Sequence, residues 1–171
     1  IIGLSVKPAY AVEETANNTF AESAEDLPNF IEVNADIARS GRPTVQGLEY
    51  LKEQNFQTII NIENNMTAVK IEKKQLEKIG GIDYVSSPMG WIERPSDKQV
   101  NEILAMLQDP RHGKILLHCT HGRDRTGMIF GLYRVFVNKW SPKDAYKEML
   151  ANGFRPQLIA LDRYFKDKTG Y

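Results

Sequence analysis

The 171-residue chain is poor in the groups from which many protein sites are built. It has one cysteine, so no disulfide can close within it and no cysteine-rich zinc site can be assembled. Its three histidines show no metal-ligand spacing with that cysteine. No stretch approaches the roughly 18 continuous apolar residues that span a bilayer. Net charge is missing too: 22 basic and 22 acidic side chains sum to zero. That balance excludes nucleic-acid or anionic-membrane binding driven by bulk charge. Any attraction for a polyanion must then be local. What remains is ordinary for a globular chain, with 42% hydrophobic and 26% charged residues and length enough for one domain with a core.

The first residues read differently. The apolar Ile1-Ile2-Gly3-Leu4, followed by Ala9-Tyr10-Ala11, resembles the end of a secretory signal peptide with cleavage after Ala11. Residues 1–11 are therefore expected to be a signal-peptide remnant of an exported protein, periplasmic or secreted. The alternative is an N-terminal strand or tether packed on the domain. Residues 12–29, acidic and rich in Asn, Thr, Ala and Ser, read as a tether, and residues 30–171 as a single domain.

Within that domain, short apolar or β-branched runs alternate with helical periodicity. A short strand and turn is expected over Ile37–Pro43, strands at Thr58–Ile62, at Ile82–Val85 and at Lys114–His118, and the domain is expected to start at Phe30–Val33. Helices are expected after Thr44, over 67–79, after Ser96, over 126–138, after Ser141-Pro142 and over 156–167. Gln99, three residues after Ser96, is expected to complete a capping box. The alternation implies an α/β fold: a central, mostly parallel sheet of four to five strands with helices on both faces. Such folds place ligands at the carboxyl ends of the strands.

One loop sits at such an end. His118-Cys119-Thr120-His121-Gly122-Arg123-Asp124-Arg125-Thr126-Gly127 joins the apolar strand 114–118 to the apolar helix 126–138. A loop that curls into a helix N-terminus directs several backbone N–H groups at one point, where the helix dipole is also positive. A phosphate group suits that field. Arg125 would close the ring with a planar guanidinium that binds two phosphate oxygens at once. The same field favours a thiolate, which makes Cys119 a candidate nucleophile. Gly122 allows a tight turn and a close backbone approach. Thr126 can donate its hydroxyl to the Cys119 sulfur. The phosphate-binding residues are thus Thr120, His121, Gly122, Arg123, Asp124 and Arg125, supported by His118 and Thr126.

These residues together resemble the His-Cys-x5-Arg-Ser/Thr signature of the cysteine-dependent phosphatases. The resemblance runs from about Ile37 to Leu150 and includes Arg39-Ser40-Gly41-Arg42-Pro43, which is similar to the Arg-Ser-x-x-Pro near the start of dual-specificity-like domains. It implies a phosphatase fold, a phosphocysteine intermediate on Cys119, a phosphoryl group held by Arg125, and neither metal nor cofactor. His118 would orient the loop rather than move a proton. Trp91 and the export-like stub make the chain most similar to the bacterial tyrosine-phosphatase-like inositol polyphosphatases, the cysteine phytases. The substrate implied is a small inositol polyphosphate such as phytate, acted on by a monomer without nucleic acid or membrane anchor. A protein tyrosine or dual-specificity phosphatase is the alternative, and a non-catalytic phosphate-binding module is a third reading.

The general acid departs from that pattern. Cysteine phytases carry an Asp three residues before the loop Trp, and Pro88 stands there. Candidates are Asp124, protonated at rest, and Glu93 or Asp97 in or after the upstream loop. Arg42, Trp91, Arg94 and Arg123 are candidate contacts to the rest of the substrate, Trp91 being equally readable as a core anchor.

Overall fold

A computed structural model of the chain describes residues 25–171. The signal-peptide reading of residues 1–11 and most of the tether lie outside the described residues. The end of the expected tether does not behave as one. Leu27 is buried in the core, Thr44 N donates to Asp26 O, and Gly41 N donates to Pro28 O. Asp26 to Pro28 are therefore packed on the domain, with Leu27 in the same apolar cluster as Leu48 and Leu51.

The strands are β1 (Ile31–Glu32), β2 (Ile37–Ser40), β3 (Phe56–Asn61), β4 (Asp83–Ser86) and β5 (Lys114–His118). They form one sheet in the order β1-β2-β5-β3-β4. The pairs β2–β5, β5–β3 and β3–β4 are parallel, and only the short edge pair β1–β2 is antiparallel. The six helices are α1 (Val45–Glu53), α2 (Met66–Ile79), α3 (Asp97–Met106), α4 (Asp124–Phe136), α5 (Pro142–Ala151) and α6 (Ile159–Thr169) among the described residues.

Side-chain alternation sorts the core into two faces. Ile37, Ile60, Ile115 and Leu117 point to a large cluster with α3 to α6. Ala38, Ile59 and Leu116 point to a smaller one, closed by Leu48 and Leu51 of α1 and Leu76 of α2. The central strand β5 is buried on both faces, which is why Ile115, Leu116 and Leu117 follow one another without a polar residue between them. Helix α4 is buried from Asp124 to Tyr133, matching its lack of a polar face.

The start signals act where expected. Thr44, Ser96 and Ser141 each accept a backbone N–H from the first turn of their helix. The capping box does not form. Gln99 turns its amide away and donates to Ser87 O, Ser87 Oγ and Pro88 O, tying α3 to the loop before it.

Candidate active site

Strand β5 delivers Cys119 to the carboxyl edge of the sheet, and α4 starts five residues later. Cys119 is a free thiol, 2% exposed. Between them, Gly122 takes a φ of +69° and lies against β2: a Cβ there would stand 2.3 Å from the carbonyl carbon of Ser40. Only glycine fits both conditions. The N–H groups of Thr120 to Arg123 donate to no backbone carbonyl among the described residues, which leaves them for a ligand.

The loop is held from outside by groups scattered through the chain. Arg42 N donates to Thr120 O at 3.1 Å, Asn29 Nδ2 to His121 O at 2.9 Å, and Arg39 Nη2 to Gly122 O at 2.7 Å. Arg39 is almost fully buried; burial brings its guanidinium down to about 10, partly opposed by the nearby Cys119. Behind the loop, His118 is fully buried with Nε2 2.9 Å from Glu72 Oε1.

Arg125 is oriented by three bonds. Nη1 donates to Asn64 Oδ1 at 2.8 Å and to Met89 O at 3.0 Å, and Nη2 donates to Thr120 Oγ1 at 2.9 Å. A guanidinium has five N–H donors. The Nε–H and one Nη2–H are left without a protein partner among the described residues, enough for a two-point grip on phosphate.

A cavity of about 400 Å³ opens over this loop. Cys119, Thr120, His121, Asp124 and Arg125 line its floor, with Arg42, Glu63, Asn64, Trp91 and Arg155 around it. Trp91 is thus a pocket wall, 46% exposed, and not a core anchor.

Several expected roles are not met. The Asp124 carboxylate accepts the Arg155 backbone N–H at 2.9 Å and pairs with its guanidinium at 2.7 Å. A carboxylate committed to these donors anchors α4 to the turn at Arg155, and that role stands in place of the expected acid. Asp97 sits on α3 facing Tyr164 and Lys168 and lines a different groove; hydrogen bonds from these two hold its carboxyl below the usual range. Glu93 does not line the cavity, its carboxylate lying instead beside Gly90. Arg94 pairs with Asp167 at 2.7 Å and covers the Tyr164 ring, away from the mouth. Arg123 is exposed and packs its stem near Gly153, outside the cavity. Arg42 does reach the cavity but is clamped by the buried Glu63 through Nε and Nη2. The Thr126 hydroxyl is buried without a polar partner among the described residues, so its bond to the Cys119 sulfur is not formed.

Three participants escaped sequence reading: Asn64, Glu63 and Arg155. They are single polar residues in connections, 61, 62 and 30 positions from Arg125, with no periodic signal to mark them. The Pro156 after Arg155 and the strand end before Glu63 mark turns, not partners.

A mostly parallel sheet with a Cys-x5-Arg loop between its central strand and a buried helix defines the protein-tyrosine-phosphatase-like class. The chain belongs to the cysteine-type dual-specificity phosphatases of that class: residues 10–167 match the family described as DSP-PTPase phosphatase fused to NAD+ kinase. It is similar to the dual specificity protein phosphatase TpbA of Pseudomonas aeruginosa strain UCBPP-PA14, 27% identical over 150 residues covering 86% of this chain and 66% of TpbA. It is also similar to the inositol diphosphatase DSP5 of Arabidopsis thaliana, 31% identical over 129 residues, covering 71% of this chain and 60% of that protein. The inositol diphosphatase SIW14 of Saccharomyces cerevisiae is 26% identical over 161 residues, covering 90% of this chain and 55% of SIW14. The chain thus spans between about half and two thirds of the length of these relatives. The crystal structure of P. aeruginosa TpbA superposes with a TM-score of 0.70 at 25% identity, over 81% of this chain and 84% of that one.

Proposed function

We propose that the chain is a phosphatase that works through a phosphocysteine on Cys119. The observation that carries this reading is Arg125, locked by Asn64, Met89 and Thr120 with an unfilled donor edge, in the same cavity floor as Cys119. The Cys119 thiolate attacks phosphorus as the bond to the leaving oxygen breaks. The loop amides and Arg125 hold the three equatorial oxygens as charge builds there. Water then attacks phosphorus, the S–P bond breaks, and inorganic phosphate leaves with the thiolate restored.

The leaving oxygen decides the substrate. An alkoxide needs a proton and a tyrosine phenolate gains from one, whereas a phosphate departs without it. Both carboxylates lining the cavity are already paired, Glu63 with Arg42 and Asp124 with Arg155. Among the described lining residues that leaves the imidazole of the exposed His121, at the rim and away from the loop floor. The arrangement favours a phosphoanhydride over a simple alkyl ester. The substrate class is accordingly an inositol polyphosphate bearing a diphosphate group, in keeping with relatives named inositol diphosphatases. Phytate, all of whose phosphates are alkyl esters, is the poorer member of the class. Arg155, 60% exposed along its side chain, is available to a second phosphate. A second reading, a protein phosphatase acting on phosphotyrosine, is favoured by the TpbA likeness and by the phenolate leaving group.

Phosphate release from a diphosphoinositol polyphosphate, phytate, a phosphotyrosine peptide and an aryl phosphate separates these readings, with Cys119→Ser as the blank. The diphosphoinositol compound is expected to give the highest kcat/KM. Faster turnover of the peptide establishes the protein-phosphatase reading instead. Release no faster than the blank from all four leaves a phosphate-binding module.

A further inference from the structure

Behind the loop, on the side away from the cavity, lies a buried polar cluster that the chemistry above does not use. His118 is 0% exposed and Glu72, on α2, is 2% exposed. His118 Nε2 stands 2.9 Å from Glu72 Oε1, off the line of a straight hydrogen bond, and neither atom has another polar partner among the described residues. The other ring nitrogen, Nδ1, is 3.3 Å from the carbonyl oxygen of Cys119. The second carboxylate oxygen of Glu72 accepts from Tyr84 OH of β4 at 2.8 Å and from the Asn61 amide of β3. Three strands and one helix therefore converge on a single carboxylate.

Burying such a pair is no route to stability, since taking two charges out of water offsets their attraction. Its use lies in its position. Both nitrogens of His118 face acceptors, and a ring that donated to both would carry a proton on each. It sits one residue from the nucleophile.

We propose that Glu72 is a positioning residue for Cys119: it holds the His118 imidazole as a fixed cation behind the loop and thereby raises the share of Cys119 present as reactive thiolate. This rests on the reading of Cys119 as the nucleophile. Burial pushes the Glu72 carboxyl up, but His118, Tyr84 and Asn61 together outweigh it, and the net direction is down. The charged or titratable groups facing the pair are Tyr84 from β4, Arg42 and Glu63 beside β2 and β3, and Cys119 next to His118 in the chain, with Arg39 of β2 acting on Cys119. The carboxylate in contact with the imidazole is that of Glu72.

The test is the rate of iodoacetamide alkylation against pH, measured on the full chain, where the lone cysteine makes the readout unambiguous. Alkylation needs no substrate, so a failed phosphatase reading, seen as absent phosphate release, stays distinct from a failure here. Glu72→Gln keeps the shape and removes the charge. It is expected to move the midpoint of the profile up by about one pH unit, a roughly tenfold slower reaction at the acidic end. Glu72→Asp should recover part of that shift. Nitrogen-15 NMR of His118 should show two protonated ring nitrogens near neutral pH in the parent chain and one in Glu72→Gln. A folded Glu72→Gln with the parent profile, or a singly protonated His118 in the parent, overturns the proposal. If Glu72→Gln does not fold, Tyr84→Phe takes its place: a smaller shift of the same sign supports the role, and an unchanged profile overturns it.

Discussion

Two loops cross the carboxyl edge of the sheet, and they are built on opposite plans. The loop from Cys119 to Arg125 is tied at nearly every residue to a partner far away in sequence: Arg42, Asn29, Arg39, Arg155 and Asn64. The loop between β4 and α3 is anchored at its ends, by Met89 N on Ile62 O and by Gln99 on Ser87 and Pro88, while Trp91 to Arg94 are exposed. The first is over-determined, as a site that must hold a phosphoryl group without reorganising requires. The second can vary its side chains at little structural cost, and through Trp91 it shapes what the cavity admits. They meet at one bond, from Arg125 Nη1 to Met89 O.

Paired substitutions sharpen this contrast. Gly122→Ala forces a side chain into a left-handed backbone and against the main chain of Ser40. It is expected to cost about 1–3 kcal/mol from strain alone, more with the clash, and to abolish turnover. Gly90→Ala in the other loop meets only the mobile end of Glu93 and should change stability by less than about 1 kcal/mol. Thermal unfolding and phosphate release on both proteins check the pair; equal losses would mean that the upstream loop is as constrained as the first.

Arg125→Lys removes the two-point grip and the bonds to Asn64, Met89 and Thr120, so kcat/KM should fall by about a hundredfold or more. Arg94→Lys, paired with Asp167 on the far side of its loop, should stay within about twofold. Arg155→Ala is intermediate. It should raise KM for a polyphosphorylated inositol by about tenfold and for an aryl phosphate much less. A flat ratio would confine Arg155 to anchoring Asp124. The smallest effects belong to Glu93→Gln and Asp97→Asn, which should leave kcat within about twofold on every substrate. Selective slowing of alkyl esters in either variant would return the general acid to the upstream loop.

The same contrast explains what could be read in advance. The buried strand β5 and the all-round apolar helix α4 are legible because burial on every side leaves an unbroken apolar run, and Cys119 and Arg125 stand out between them by spacing. Caps at Thr44, Ser96 and Ser141 are legible because they act within three residues. Asn64, Glu63 and Arg155 are not, because their partners come from separate turns of the chain, and a lone polar residue looks like any solvated one. Asp124 is a case of this: its partner, Arg155, stands 31 residues on, and nothing near Asp124 in the sequence marks the pairing. The partners of Arg94 are equally remote, because α6, which supplies Asp167 and Tyr164, lies some seventy residues away. The packing of Leu27 is hidden by the polar composition around it, since a single buried leucine and two backbone hydrogen bonds leave no pattern in the sequence.

The most direct test of the chemistry is to mix the protein with an aryl phosphate, quench rapidly in acid, and map the product by peptide mass spectrometry. One phosphoryl group on Cys119, absent from Cys119→Ser and present at higher occupancy when hydrolysis of the intermediate is slow, is the predicted result. Turnover that proceeds with no adduct on Cys119, or that survives in Cys119→Ser within tenfold of the parent, would contradict it.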